Sequence, residues 1–314
     1  MHEAGISTEQ PRLVVICGPT ASGKTALTLE LGRRFDIEVI SADSRQVYRG
    51  MDIGTAKPTP AELSQLPHHL VDVVDPGDEF TAANFAEQGR MLAFAIAQRG
   101  RLPIVVGGTG LYIRALTEGL VAAPGGDAAL RQELLQREQQ QGEGALYRLL
   151  QERDPDMAGR IHPRNRVRII RALEVLALTG RRLSEMQDLH AFADRPFVTL
   201  KIGLMPDRDE LFRRIDRRAE QMLEAGLIVE TSALLDRGYS PHLKALQTIG
   251  YRECIQYLQG ALSLDEALSL VQRATRQYAK RQLTWFRKDA SIIWVDSCQE
   301  SARILPLIDK FYAA

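Results

Sequence analysis

Leu13-Val14-Val15-Ile16-Cys17-Gly18-Pro19-Thr20-Ala21-Ser22-Gly23-Lys24-Thr25 is the stretch that decides the fold. Gly18, Gly23, Lys24 and Thr25 match G-x-x-x-x-G-K-[ST]. An apolar, β-branched run precedes them and a helix-like run, Ala26 to Phe35, follows. Strand, glycine loop and helix in that order are the context in which the pattern means a phosphate cradle. The glycines let backbone N–H groups turn toward an anion, and the following helix points its positive dipole end at the same place. Lys24 then reaches the phosphates and Thr25 holds a Mg²⁺ ion. The plain alternative, a glycine turn in an α/β domain that binds nothing, is disfavoured by the intact strand–loop–helix order.

Outward from the loop, short apolar runs alternate with helical patterns. Strands are expected at Leu13–Cys17, Glu38–Ser41, His69–Val74, Pro103–Val106, Val198–Leu204 and Ser291–Val295, and helices at Lys24–Phe35 and Ala82–Arg99. Such alternation predicts an α/β fold with a parallel sheet flanked by helices, a P-loop NTPase-like core. Between Pro124-Gly125-Gly126 and Arg195-Pro196 the pattern is helical only, over Asp127–Gln141, Glu143–Arg153 and Arg164–Leu178. The expected organisation is therefore a first part of the core at 12–123, a helical insertion domain at 124–196, and the core completed with C-terminal helices at 197–314. A chain of 314 residues is too long for one ordinary core, which agrees with this division.

Formal net charge is zero, which taken alone argues against a nucleic-acid partner. The average hides two segments free of acidic residues. One holds Arg160, Arg164, Arg166, Arg168 and Arg171. The other holds Arg273, Arg276, Lys280, Arg281, Arg287 and Lys288, interleaved with Tyr278, Trp285 and Phe286. A charge run is most often a solvated helix face. Two acid-free runs with aromatics in a neutral chain favour a polyanion instead. The three cysteines, Cys17, Cys254 and Cys298, are far apart and form no C-x-x-C pair, so neither a disulfide framework nor a zinc site is expected. The polar N-terminus carries no apolar signal core and no run is long enough to span a bilayer, so a cytoplasmic setting without membrane contact is expected.

Two further segments carry candidate chemistry. Ser41-Ala42-Asp43-Ser44-Arg45-Gln46-Val47-Tyr48 follows a strand, and ligands of open α/β sheets sit at the carboxyl ends of strands. The Asp43 carboxylate has three roles open to it: Mg²⁺ ligand, proton acceptor, or cap of the next turn. Val105-Val106-Gly107-Gly108-Thr109-Gly110-Leu111-Tyr112 again allows close backbone approach to a ligand. Its strand does not end in Asp-Glu, so machinery for activating water on ATP is missing. Gln247-Thr248-Ile249-Gly250-Tyr251-Arg252 reads either as a helix break presenting Gly-Tyr to a ligand or as packing. His68 and His69, beside a proline and a strand, read as structural.

Together these motifs resemble the tRNA dimethylallyltransferase family. The resemblance is carried by Gly18–Thr25, Asp43–Tyr48 (D-S-R-Q-V-Y), Met51–Pro58 (M-D-I-G-T-A-K-P), Gly107–Tyr112, Arg171–Val175, Gly250–Arg252 and Thr275–Arg287. It implies attack by the exocyclic amine of the adenosine 3′ of the anticodon on the first carbon of dimethylallyl diphosphate, with diphosphate leaving, in tRNAs reading codons that begin with U. It implies a P-loop working on a diphosphate leaving group in place of ATP, which suits the missing hydrolase acids. It implies Asp43 as general base, Thr109 near the target base and Lys24 on the leaving group. Gly18, Pro19, Thr20, Ala21, Ser22, Gly23, Lys24 and Thr25 would cradle the diphosphate, with Arg214 as a further ligand and Mg²⁺ on Thr25. Asp43, Ser44, Arg45, Gln46, Thr109, Arg168, Arg171, Gly250, Tyr251, Arg252, Lys280, Arg281, Gln282, Trp285 and Arg287 would contact tRNA, the insertion gripping the anticodon stem-loop of a substrate bound by a monomer. Rival readings are an adenylate isopentenyltransferase, a P-loop kinase, and an RNA-binding protein whose P-loop is structural. The insertion and the basic segments are surplus for a mononucleotide substrate.

Overall fold

A computed structural model describes residues 10–191, 193–296 and 301–313. Among the described residues, six strands form one sheet: β1 (Arg12–Cys17), β2 (Ile37–Ser41), β3 (His68–His69), β4 (Leu102–Gly107), β5 (Val198–Leu204) and β6 (Ile292–Val295). Their order is β3-β2-β4-β1-β5-β6 and every pairing is parallel. A parallel sheet is covered on both faces, which is why its central strands read as unbroken apolar runs. Side chains of β1 alternate between two cores. Leu13 and Val15 join Val105, Phe85, Met51 and Tyr251, while Val14 and Ile16 join Ile104, Ile202, Leu27, Leu31 and Ile304.

The flanking helices of the first half are α1 (Lys24–Gly32), α2 (Pro60–Gln65), α3 (Ala82–Gln98) and α4 (Gly110–Glu118). Next come α5 (Ala128–Gln141), α6 (Ala145–Arg153), α7 (Pro155–Arg160), α8 (Arg166–Thr179) and α9 (Leu183–His190). After β5 the chain forms α10 (Arg208–Glu224), α11 (Leu227–Asp236), α12 (Tyr251–Leu258), α13 (Leu264–Phe286) and, beyond β6, α14 (Ser301–Ala313). The chain divides into two compact units. One runs up to Thr117 and resumes at Arg195, and the other is Glu118–Asp194.

The smaller unit has its own core, with Leu134, Leu146, Leu150, Met157, Ile169 and Leu173 packed together. Buried acids lock its helices. Glu174 accepts from the Asp127 backbone N–H (2.8 Å), Arg131 Nε (2.7 Å) and an Arg171 N–H (2.6 Å). Glu138 accepts from the N–H groups of Gly144 and Leu146, capping α6 from the side. Burial alone would raise both carboxyls, and these donors hold them below the ordinary carboxylate value.

The expected strand His69–Val74 is corrected to His68–His69. Leu70 (φ 62°) and Asp72 (φ 55°) adopt left-handed backbone, which stops the ladder. Val73 and Val74 turn back instead, and both N–H groups donate to the Val47 carbonyl. Cys17 and Cys254 are buried free thiols, and Cys298 lies outside the described residues. Among the described residues no helix is long and apolar enough to cross a membrane.

Candidate active site

Parallel pairing puts the carboxyl ends of β2, β4 and β1 side by side, and each end carries one of the motifs. The β2 and β4 loops are stitched together. The Thr109 N–H donates to the Ala42 carbonyl (3.1 Å), and Thr109 Oγ1 accepts from the Ser44 N–H (3.0 Å). This requires glycine at 107, where a Cβ would fall 2.1 Å from the Ala42 oxygen. Asp43 Oδ1 accepts from the N–H groups of Arg45 (2.8 Å) and Gln46 (3.4 Å). One carboxylate oxygen thus pins the turn. The half-buried group stays close enough to Arg218 and Tyr278 to act electrostatically on both. The capping role therefore coexists with a place at the site.

On the P-loop, Lys24 Nζ donates to the carbonyls of Gly18 (3.1 Å) and Pro19 (2.7 Å), so the ammonium lies over the loop where an anion is expected. Pro19 itself has no N–H to offer, and the Thr20 N–H donates to Gln282 Oε1 (2.9 Å). The N–H groups left to face an anion are therefore those beyond Thr20. Thr25 is exposed at the first turn of α1. Among the described residues no group of three or more His, Cys, Asp or Glu could hold a metal ion. One exposed hydroxyl beside a phosphate cradle fits Mg²⁺ that arrives with its substrate. Mg²⁺ keeps most of its shell as water and phosphate oxygens.

Helices α10 and α13 close the site. Leu211 and Ile215 of α10, Ala279 and Leu283 of α13, and Ala21 of the P-loop pack in one small cluster. One turn beyond Ile215, Arg218 is half-buried, and among the described residues it has no hydrogen-bond or ion-pair partner. Burial pulls its pKa below the ordinary arginine value, opposed by the Asp43 carboxylate. A desolvated arginine within electrostatic reach of Asp43, on the helix that packs against Ala21 of the P-loop, is a candidate anion ligand. Sequence reading chose Arg214 on this helix, but Arg214 Nε is held by Glu210 Oε1 (2.8 Å). Arg214 and Arg218 lie one turn apart on the same face of α10, so periodicity does not tell them apart; the Glu210 partner of the one and the desolvation of the other do. Tyr278 of α13 was also missed as a site residue. Its hydroxyl stands near the Thr109 side chain, and its ring lies 5.7 Å under the Arg281 guanidinium. Burial and the nearby Asp43 carboxylate push the phenol up to about 12.

Several expected tRNA contacts are spent inside the fold. Tyr251 is fully buried, its hydroxyl donating to Glu230 Oε1 (2.6 Å). Gly250 is buried, and Arg252 pairs with Glu253. The Gly-Tyr segment is packing, since Glu230 also accepts from the N–H groups of Asp52, Ile53 and Gly54 and anchors that loop. Gln282 is buried with both ends of its amide engaged, and Arg171 serves Glu174 and the Pro124 carbonyl. Gln46 donates to the carbonyls of Thr55 and Ala56 and accepts from Ser41 Oγ. Arg45 reaches the Lys244 carbonyl at 3.4 Å and stays half-buried. Arg168 is exposed on the smaller unit, and Lys280, Arg281 and Arg287 are exposed on the larger. Trp285 is half-buried against Gly110.

A family model described as IPP transferase matches residues 46–289, and one described as isopentenyl transferase matches residues 11–73. The chain is 57% identical over 307 residues to tRNA dimethylallyltransferase 1 of Syntrophotalea carbinolica, covering 98% of each chain. It is 53% identical to tRNA dimethylallyltransferase of Geobacter metallireducens, covering 97% of this chain and 98% of that one. Among solved structures it resembles the tRNA isopentenylpyrophosphate transferase of Bacillus halodurans (TM-score 0.71, 42% identity, 97% of each chain). A eukaryotic dimethylallyltransferase acting on tRNA is similar at TM-score 0.83 and 29% identity, over 96% of this chain and 80% of that one.

Proposed function

This chain belongs to the tRNA dimethylallyltransferase family and carries its activity, and we propose how its residues divide the work. Dimethylallyl diphosphate loses diphosphate as the exocyclic amine of the adenosine 3′ of the anticodon bonds to its first carbon, in tRNAs reading codons that begin with U. The C–O bond to diphosphate breaks, the new C–N bond forms, and the amine proton passes to Asp43. Lys24, the P-loop N–H groups beyond Thr20, and Arg218 carry the charge that accumulates on the leaving diphosphate. Mg²⁺ on Thr25 would supply further charge neutralisation to that diphosphate. Thr109, with Ser44 bonded to it, borders the target base, and Arg168, Lys280, Arg281 and Arg287 take phosphates of the anticodon stem-loop. The enzyme acts as a monomer in the cytoplasm.

The observation that carries this division is the convergence of Asp43, Thr109, Arg218 and the P-loop on one end of the sheet. Asp-Glu at a strand end, as a P-loop hydrolase uses to activate water, is absent from β4. The test is incubation of labelled dimethylallyl diphosphate with unmodified tRNA, with AMP, or with no acceptor. Label should enter tRNA alone, and Lys24→Ala should cut transfer sharply. Transfer to AMP, or tRNA-stimulated ATP hydrolysis, would overturn the proposal.

A further inference from the structure

We propose that Gln282 is a positioning residue that fixes the P-loop and the Gly107–Gly110 loop against each other, holding the two substrates in one register. The inference rests on the transferase reading above. Gln282 is 6% exposed. Its Oε1 accepts from the Thr20 N–H (2.9 Å) and its Nε2 donates to the Gly108 carbonyl (2.9 Å). Thr20 and Gly108 lie on different loops, after β1 and β4, and the amide bridges them from a helix far along the chain. A carboxamide has one acceptor end and one donor end, and here each meets its complement in the backbone. A Cβ at position 108 would come 2.1 Å from Nε2, so the bridge needs glycine there.

The same face of α13 braces the β4 loop twice more. Tyr278, one turn earlier, stands near Thr109, and Trp285 packs on Gly110. Of the three, Gln282 alone also hydrogen-bonds the P-loop. Removing the amide leaves a part-buried N–H and a buried carbonyl without this partner, and the loops shift as they find new ones. The P-loop holds the leaving group and the β4 loop borders the attacking base. A displacement of about 1 Å between them is enough to cost about 10²-fold in rate.

The experiment compares wild type with Gln282→Met, which keeps length and loses both bonds, and Gln282→Glu, which keeps the acceptor and loses the donor. Three quantities are read: kcat at saturating substrates, tRNA Kd by filter retention, and dimethylallyl diphosphate sites per chain by equilibrium dialysis. Both variants should lose about 10²-fold in kcat, with tRNA Kd within about twofold and the site stoichiometry of wild type. The proposal is overturned if a variant keeps kcat within about threefold of wild type. It is also overturned if tRNA Kd weakens while kcat holds, which would make Gln282 a direct tRNA contact. Loss of diphosphate sites in proportion to kcat would reduce the role to folding and overturn it too. Wild type failing to modify tRNA would instead overturn the transferase reading.

Discussion

Asp43 does two jobs with one side chain, and they separate by mutation. Asp43→Asn keeps an oxygen to accept from Arg45 and Gln46 but cannot take the amine proton. Transfer should fall by about 10²–10⁴-fold, with tRNA affinity within a few-fold, measured by single-turnover transfer and filter binding. A variant with half the wild-type kcat would remove Asp43 from the chemistry. Glu38 gives a second residue-level expectation. Burial alone would raise its pKa, but Arg99, His69 and Arg101 hydrogen-bond the carboxylate and bring it from about 4.5 down to about 2. The folded value lies below the unfolded one, so this stabilisation is complete above about pH 4.5 and drains away as pH falls toward 2. It amounts to about 3 kcal/mol. Urea melts of Glu38→Gln across that window should show a flatter pH dependence than wild type. At this scale the P-loop and Asp43 were legible because their residues are contiguous in sequence. Arg218, Tyr278 and Gln282 were not, because each reaches the site from one face of a long helix and only packing sets that phase.

At the scale of elements, the smaller unit is held by buried carboxylates as well as by its apolar core. Glu174 joins α8 to the start of α5 through Asp127, Arg131 and Arg171. Glu174→Ala removes the acceptor these donors share and should cost the unit about 1–3 kcal/mol. Hydrogen exchange should then quicken in α5 and α8 while β1 and β4 keep their protection. Equal quickening in both units would refute the local reading. The positions of these helices were readable from periodicity and turn residues. The carboxylate joints were not, because Glu174 looks like any charged helix residue until its burial is known. The shortened β3 has a similar cause, since nothing in Leu70 or Asp72 announces left-handed backbone.

For the whole molecule, net charge is zero, so tRNA affinity must come from local patches. Arg168 and Lys280 are exposed, one in each unit. Each alanine substitution should flatten the log–log salt slope of tRNA binding by about 0.7–0.9, measured by filter retention across a salt series. Wild-type slopes in both variants would make these residues solvated surface. The sheet was legible because buried parallel strands are unbroken apolar runs, but its strand order was not, since order is a property of pairing and not of any one segment. That order has a consequence for synthesis. Of the described strands β1 is made first, and its neighbours in the sheet are β4 and β5. β5 is translated only after the whole of Glu118–Asp194. The insertion adds little closure entropy, which grows only with the logarithm of loop length. Its cost is in time: while the ribosome makes the smaller unit, the β5 side of β1 stands as an open edge, exposed to mispairing until Val198–Leu204 arrives.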